Sequence, residues 1–459
     1  MTPNISLQKT NQLKEFFRID CLKSLEGVFP FEVFDSYNNK GTRDRVYSIE
    51  NTILAMVYSS TMEDKTLENA VDIFKKIHGT QVERILKNAK ESIEQERMND
   101  SLYSKTRRGP KKKYKLKVSK SKTTEISSNT AAYSKARKRV SLELIQRVFY
   151  KSRENSKFDA SWYGMKTYLT DGTYVQTQDT KELRKMYDVK SANEDHKEAF
   201  PQGLVQSIIQ QWSGIIHDYA LANRHESELS LIYQLIHSIP SNSLLLADDL
   251  YNTYAVFSLA RKNNFNIIVP GKRVKNYKVI SQISEGDEIV EIKRTDRPKW
   301  LPKSELLPPK IWLRRLTFLS LDGKETKVIY TTLMDEKIPK TEIILKYFTR
   351  WDIEITIREV KTMMDINILR GKTDDMIRKE LASAFIAYNL VRKIMAQSTT
   401  GTAFSPKGDI IHEFFESYKE LYMDRKGRVY KRWSPGRYGK TETDNSKENN
   451  KTKTRQALS

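Results

Sequence analysis

Residues 243–270, SLLLADDLYNTYAVFSLARKNNFNIIVP, read as a strand, a helix and a second strand. SLLLA and FNIIV are short, continuous apolar runs, and YAVFSLARKN between them has helical spacing. Strands without polar alternation are buried on both faces, which is the mark of an α/β sheet covered by helices. The first run ends in two acids, Asp248 and Asp249. The carboxyl ends of such strands are where ligand sites form, although acids there also cap the next helix.

The same reading extends in both directions. TYLTDGTYVQ (167–176), GLVQSIIQQW (203–212) and IIHDYALA (215–222) are candidate consecutive strands, and ESELSLIYQLIHSI (226–239) is helical. From about 275 to 335 the alternation breaks. DEIVEIKR, KIWLRRLTFLSL and ETKVIYTTL read there as antiparallel strands between Pro and Gly turns, a β insertion of about 60 residues. Helices resume at Thr341 and continue through ELASAFIAYNLVRKIMAQ. On the amino-terminal side IENTILAMVYSS, LENAVDIFKKI and YSKARKRVSLELIQRVFYK are helical, while residues 101–130 are polar, basic and aperiodic. No internal repeat is visible.

The run YFTRWDIEITIREVK, residues 347–361, carries a second pattern. On a continuous α-helix at about 100° per residue, Tyr347, Arg350, Glu354 and Lys361 fall near 0°, 300°, 340° and 320°. Ile353, Ile357, Val360 and Met364 fill the neighbouring arc as a core-facing stripe. Glu359 points away, near 120°. A carboxylate, two cations and a phenol along the edge of an apolar face suit a metal and a phosphodiester. They also suit an exposed helix laced with ion pairs, and the helix alone does not decide.

Composition narrows the choice. A chain of 459 residues is long enough for two or three domains. One cysteine, Cys21, excludes a disulfide framework and a cysteine-rich zinc site, and fits a reducing compartment. The six histidines, 78, 196, 217, 225, 237 and 412, have no HxxxH or HxH spacing. The amino terminus lacks the apolar core of a signal peptide, and no run approaches the length of a membrane span. A soluble intracellular protein is expected, with no membrane partner.

The net charge of +22 is segmental. There are 10 Lys or Arg between Lys105 and Lys122, 4 between Ala131 and Arg139, and 7 between Arg425 and Lys440, with no acid in any of the three. These segments carry nearly all of the excess. Clustered cations of this kind neutralise phosphates and release counterions, so nucleic acid is the expected partner. Anionic membrane is the weaker reading, because neither long run has the amphipathic pattern of a surface helix.

Asp171 could join Glu354, although Asp-Gly taken alone reads as a hairpin turn. The order is informative: a strand Asp, a strand-end Asp, then a helix Glu beside Arg and Lys. Three converging carboxylates need a cation to offset their repulsion. Mg²⁺ takes a few carboxylates and keeps positions for water or substrate oxygens. Two such ions about 4 Å apart can serve phosphodiester displacement.

These motifs resemble the DDE transposases of the bacterial insertion sequence 4 family. The family signature is Tyr, two residues, Arg, three residues, Glu, six residues, Lys, and Tyr347, Arg350, Glu354 and Lys361 match every interval. DGT at 171–173 resembles the motif of the first acid, and ADDLY at 247–251 that of the second. HESEL and ELASAFIAYNLVR resemble the family as well. One departure stands out: the family commonly has Arg-Gly after the second Asp, where this chain has Asp249-Leu250. The spacing to Tyr251 favours Asp248 as the ligand, with Asp249 as the competitor.

The resemblance implies a ribonuclease-H-like α/β catalytic domain with a β-strand insertion, at 131–400, with the insertion at about 275–335. A helical DNA-binding region at 1–100, a basic arm at 101–130 and a basic tail at 401–459 for DNA or dimer contacts complete the expected organisation. Asp171, Asp248 and Glu354 would hold two Mg²⁺ ions, with Mn²⁺ able to substitute. Tyr347, Arg350 and Lys361 would contact phosphates near the cut. Arg107, Arg108, Lys111, Lys112 and Lys113 would bind DNA through the arm. The expected partners are element terminal repeats and target DNA, bound by a homodimer, in a cytoplasmic, nucleoid-associated protein. Trp300 or Trp312 could act as an aromatic wedge, although a packed core Trp is the plainer reading. The alternatives are an inactive transposase-derived regulator and a metal-dependent nuclease without strand transfer.

Overall fold

The computed structural model describes residues 28–35, 46–62, 64–103, 126–154, 161–187, 200–271, 276–319 and 325–398. The arm cations Arg107, Arg108, Lys111, Lys112 and Lys113 lie outside the described residues, as does the basic stretch 425–440.

Four helices open the described chain: α1 (Ile49–Ser59), α2 (Leu67–Tyr103), α3 (Thr130–Arg139) and α4 (Leu142–Ser152). Side chains of Ser48, Asn129 and Ser141 accept from backbone N–H groups at the starts of α1, α3 and α4, satisfying donors that a helix cannot pair itself. α1 is buried from Asn51 to Tyr58, as expected of a helix enclosed by neighbours.

The strands follow as β1 (Lys166–Gln176), then α5 (Lys181–Tyr187), β2 (Gln202–Gln210), β3 (Ile216–Asn223), α6 (Glu228–Leu235), β4 (Ser243–Leu246), α7 (Tyr254–Lys262) and β5 (Asn266–Pro270). The insertion supplies β6 (Lys278–Ser284), β7 (Asp287–Lys293), β8 (Lys310–Leu319) and β9 (Thr326–Thr331). Helices α8 (Lys340–Phe348), α9 (Asp352–Met364) and α10 (Asp374–Ser398) close the described chain.

All nine strands join one sheet, ordered β3-β2-β1-β4-β5-β9-β8-β7-β6. β1, β2 and β3 are antiparallel neighbours, whereas β4 runs parallel to both β1 and β5. β9 pairs antiparallel with β5, so the insertion prolongs the main sheet. β6 escapes the sequence reading because it is almost wholly exposed and carries little apolar signal. Leu244, Leu245 and Leu246 of β4 are fully buried, as their continuous apolar run requires. Each contributes about 2 kcal/mol by leaving water. Ile232, Leu235, Val256 and Phe257 of α6 and α7 belong to the same core as Leu245 and Ile267.

The described residues fall into one large compact unit and a small one at 317–319 and 325–327, and the cleft residues lie wholly in the large unit. Among the described residues no helix is long and apolar enough to cross a membrane.

Candidate active site

The register of β1 and β4 brings the first two acids together. Leu169 is the last β1 residue paired with β4, opposite Leu246. Two residues further along these parallel strands stand Asp171 on β1 and Asp248 beyond β4. Beyond Leu246 the chain turns away, with Asp248 capping the short 3₁₀ turn Asp249–Tyr251 by accepting from Leu250 N–H at 2.9 Å. The space left at the end of β4 is where the two carboxylates meet. β1 itself continues to Gln176, with Asp171 opposite Ser207 and Gly172 opposite Gln206. The hairpin-turn reading of Asp171-Gly172 is therefore wrong: the pair lies in mid-strand, flanked by residues that favour strand.

α9 supplies the third acid. Asp171, Gly172, Glu354 and Lys361 line one open cleft of about 360 Å³. Ile357, assigned to the core stripe, is only half-buried and lines the cleft as well, whereas Ile353, Val360 and Met364 are buried as expected. Arg350 is 9% exposed and its guanidinium stands 3.7 Å from Glu354. It also stacks over the Trp351 ring at 4.7 Å. The arginine of this pair is buried, whereas the Glu354 side chain is 43% exposed at the cleft.

Burial raises the Asp171 carboxyl to about 6, and the charges of Asp248 and Glu354 add to the rise. The Gly172 N–H and Arg350 oppose it. Burial lifts the Tyr347 phenol, with Arg350 opposing and with Asp248 and Asp249 adding to the rise. Burial also lowers Lys361. The sign for stability follows from Asp171. Its ordinary value is 3.8, so the folded state binds the extra proton between pH 3.8 and about 6. That contribution is complete below 3.8 and is lost as pH rises through about 6. Metal-free Asp171→Asn should therefore be more stable than the parent at pH 7, by up to ~3 kcal/mol, and equal to it in strong acid. Denaturant melts at the two pH values check this; equal stability at neutral pH would contradict it.

The junction before α9 departs from the continuous helix assumed for 347–361. α8 ends at Phe348, a 3₁₀ turn spans Thr349–Trp351, and α9 begins at Asp352. A buried ammonium anchors this break. Lys346 Nζ donates to Gln211 Oε1 at 2.7 Å and lies over the rings of Trp162 and Trp212 at 5.9 and 5.7 Å. Gln211 Nε2 in turn donates to Asp352 Oδ2 at 3.0 Å and to the Thr349 carbonyl at 3.4 Å. Burial pulls the Lys346 ammonium down to about 7, with Asp352 opposing. These contacts fix the turn from which Arg350 and Glu354 project. At the other end of α9, Lys65 donates to the Asp365 carbonyl at 3.1 Å and also to that of Met364.

Other assignments separate cleanly. Glu359 faces α10, close enough to the buried Tyr388 phenol to help raise it. Trp300 packs against the core beside Tyr233, with centroids 6.5 Å apart. Trp312 is half exposed on β8, and its Nε1–H donates to Glu291 at 3.2 Å. Sequence reasoning missed Arg358 and Asn367, which line the cleft, and the buried Lys346, which bonds Gln211. It also missed Glu228 at the start of α6. For Arg358 the signal was present: it is one turn beyond Glu354 on the same face.

Among the described residues no three acidic, His or Cys side chains already form a finished metal cage. The donor set nonetheless fits hard divalent cations in kind. After burial, Asp248 and Glu354 disfavour the ionised Asp171 carboxylate, a repulsion that a hard divalent cation would offset.

Residues 162–390 match the family model described as Transposase DDE domain. The chain is 27% identical over 272 residues to the transposase InsG for insertion sequence element IS4 of Escherichia coli (strain K12). That match covers 57% of this chain and 60% of InsG, so the chain spans less than two thirds of that relative. The piggyBac transposase synaptic complex with hairpin DNA overlays 70% of this chain and 66% of its own, at 12% identity. Its TM-score of 0.33 is too low to carry an argument. The acid order, the Tyr-Arg-Glu-Lys spacing and the matched domain agree: the chain belongs to the DDE transposases of the insertion sequence 4 family.

Proposed function

We propose that this chain is a DNA transposase that cuts the ends of an insertion sequence and joins them to target DNA. The observation that carries the reading is that Asp248, Glu354 and Arg350 all act on the Asp171 carboxyl, in a cleft that Asp171, Glu354 and Lys361 line. The strand order β3-β2-β1-β4-β5, antiparallel and then parallel, supports a ribonuclease-H-like domain.

In this reading Asp171, Asp248 and Glu354 hold two Mg²⁺ ions, with Asp171 between the other two acids. Bound there, the ions supply activation of the attacking oxygen and stabilisation of the leaving one. Arg350 and Lys361 hold phosphates of the scissile strand and offset charge gathering on the phosphoryl group. Tyr347 braces Arg350. Water first attacks the phosphodiester at each element end, breaking a P–O bond and freeing a 3′-OH. Each 3′-OH then attacks a target phosphodiester, so one P–O bond forms as another breaks. The basic arm with Arg107, Arg108, Lys111, Lys112 and Lys113 binds the DNA backbone. Joining two ends calls for a DNA-bound homodimer.

Purified protein, end-containing DNA and Mg²⁺ test the proposal. Nicking followed by joined products is expected, lost in Asp171→Asn and Glu354→Gln. Binding without metal-dependent nicking would mark a regulator, and nicking that never yields joined products a nuclease.

A further inference from the structure

We propose that Glu228 is a fourth acidic ligand of the metal site, on its Asp171–Asp248 side, a role that rests on the metal-dependent reading above. Glu228 is the first residue of α6, just beyond the Ser227 cap, and its side chain reaches back over β1. A Cβ built on Gly172 would stand 2.6 Å from Glu228 Cδ and 2.8 Å from Oε1. Gly172 thus leaves the space over β1 that this carboxylate fills.

Three acids are held in the same manner. Asp171 Oδ1 accepts from Gly172 N–H at 2.9 Å, and Asp248 Oδ1 accepts from Leu250 N–H at 2.9 Å. Glu228 Oε2 accepts from the Tyr251 hydroxyl at 3.3 Å. In each carboxylate the second oxygen accepts no hydrogen bond from the described residues. The Tyr251 hydroxyl is itself fixed by Gln206 Nε2 at 2.8 Å, and Gln206 also donates to Thr170 at 2.7 Å. This buried chain ties the acid on α6 to β1 and to the turn after β4. After burial, the charges that disfavour ionised Glu228 are those of Asp171 and Asp248. Glu354 stands on the other side of Asp171, paired with Arg350. A divalent ion bound among these acids would offset their mutual repulsion.

The discriminating variant is Glu228→Gln. It keeps an oxygen for the Tyr251 hydroxyl, so a purely structural acceptor is preserved while the ligand charge is lost. Binding of MnCl₂ alone to the full chain, read by calorimetry and by the electron paramagnetic resonance signal of free Mn²⁺, is the measurement. Glu228→Gln is expected to weaken Mn²⁺ binding by about 10-fold or more, with a metal-free melt no lower than the parent's. Gly172→Ala keeps the acid but displaces it, and carries the same expectation should Glu228→Gln fail to fold. Asp171→Asn is run in parallel. If it weakens Mn²⁺ binding while the Glu228 and Gly172 variants bind like the parent, the fourth ligand is overturned and the three-acid site stands. If no variant changes binding, the metal reading itself falls and takes this proposal with it.

Discussion

Glu354→Gln should nick end-containing DNA at least ~10³-fold more slowly than the parent in Mg²⁺, while binding that DNA equally well. The magnitude follows from the chemistry: a divalent ion contributes several kcal/mol of charge stabilisation, and each 1.36 kcal/mol is tenfold in rate. The substitution keeps the size of the side chain and removes only its charge. Because Glu354 is 43% exposed in its side chain and lies at the cleft, the fold has little to lose. Glu359→Gln is the matched control. It alters a carboxylate on the same helix that faces Tyr388 and not the cleft, and should nick within a few-fold of the parent. Single-turnover nicking with both variants checks the contrast; equal loss in the two would mean that α9 is merely destabilised by changes in charge.

Asp287→Ala should cost about 3–5 kcal/mol of stability, the largest effect expected of any single substitution away from the cleft. Arg314 and Asp287 are 1% and 2% exposed and bonded twice, at 2.8 and 2.6 Å. The guanidinium also donates to the carbonyls of Asp335 at 2.8 Å and Ile338 at 3.0 Å. It therefore ties β7 and β8 to the segment that enters α8. Removing the aspartate leaves a cation in a dry interior. Removing both charges at once, as Asp287→Leu with Arg314→Met, should recover most of the loss, since the cost lies in the orphaned charge. Denaturant melts check the Asp287→Ala loss, and melts of Asp287→Leu, Arg314→Met and the double give the coupling directly. Additive losses would show that the two side chains contribute independently.

The strands at 167–176, 203–212 and 215–222 and the unit at 243–270 were legible because their apolar runs record burial residue by residue. Three features were not. Asp171-Gly172 carries a turn signature, yet pairing with β2 holds it in mid-strand, and Glu228, 56 positions away, fills the space that a Cβ on Gly172 would take. The 347–361 run has unbroken helical spacing, yet Lys346 and Gln211 hold a 3₁₀ turn within it through contacts that no local pattern encodes. Ile357 shares the phase of the buried Ile353, Val360 and Met364 on α9 yet lines the cleft, because packing around each turn of the helix is set by tertiary neighbours.

Asp248 and Asp249 show where local reading stops. Both follow the same strand, and the spacing to Tyr251 merely favours the first. Parallel pairing of β1 with β4 sets Asp248 level with Asp171, while Asp249 begins the 3₁₀ turn, and both acids act on the Tyr347 phenol.

By itself the sequence determined the elements, the segmental charge and the family signature, because periodicity and spacing are local properties of a chain. Only the tertiary structure decided which carboxylates share a field. That depends on β4 lying beside β1, on α9 flanking the same cleft and on α6 turning its first residue back over Gly172, and electrostatic coupling follows distance in space, whatever the separation along the chain.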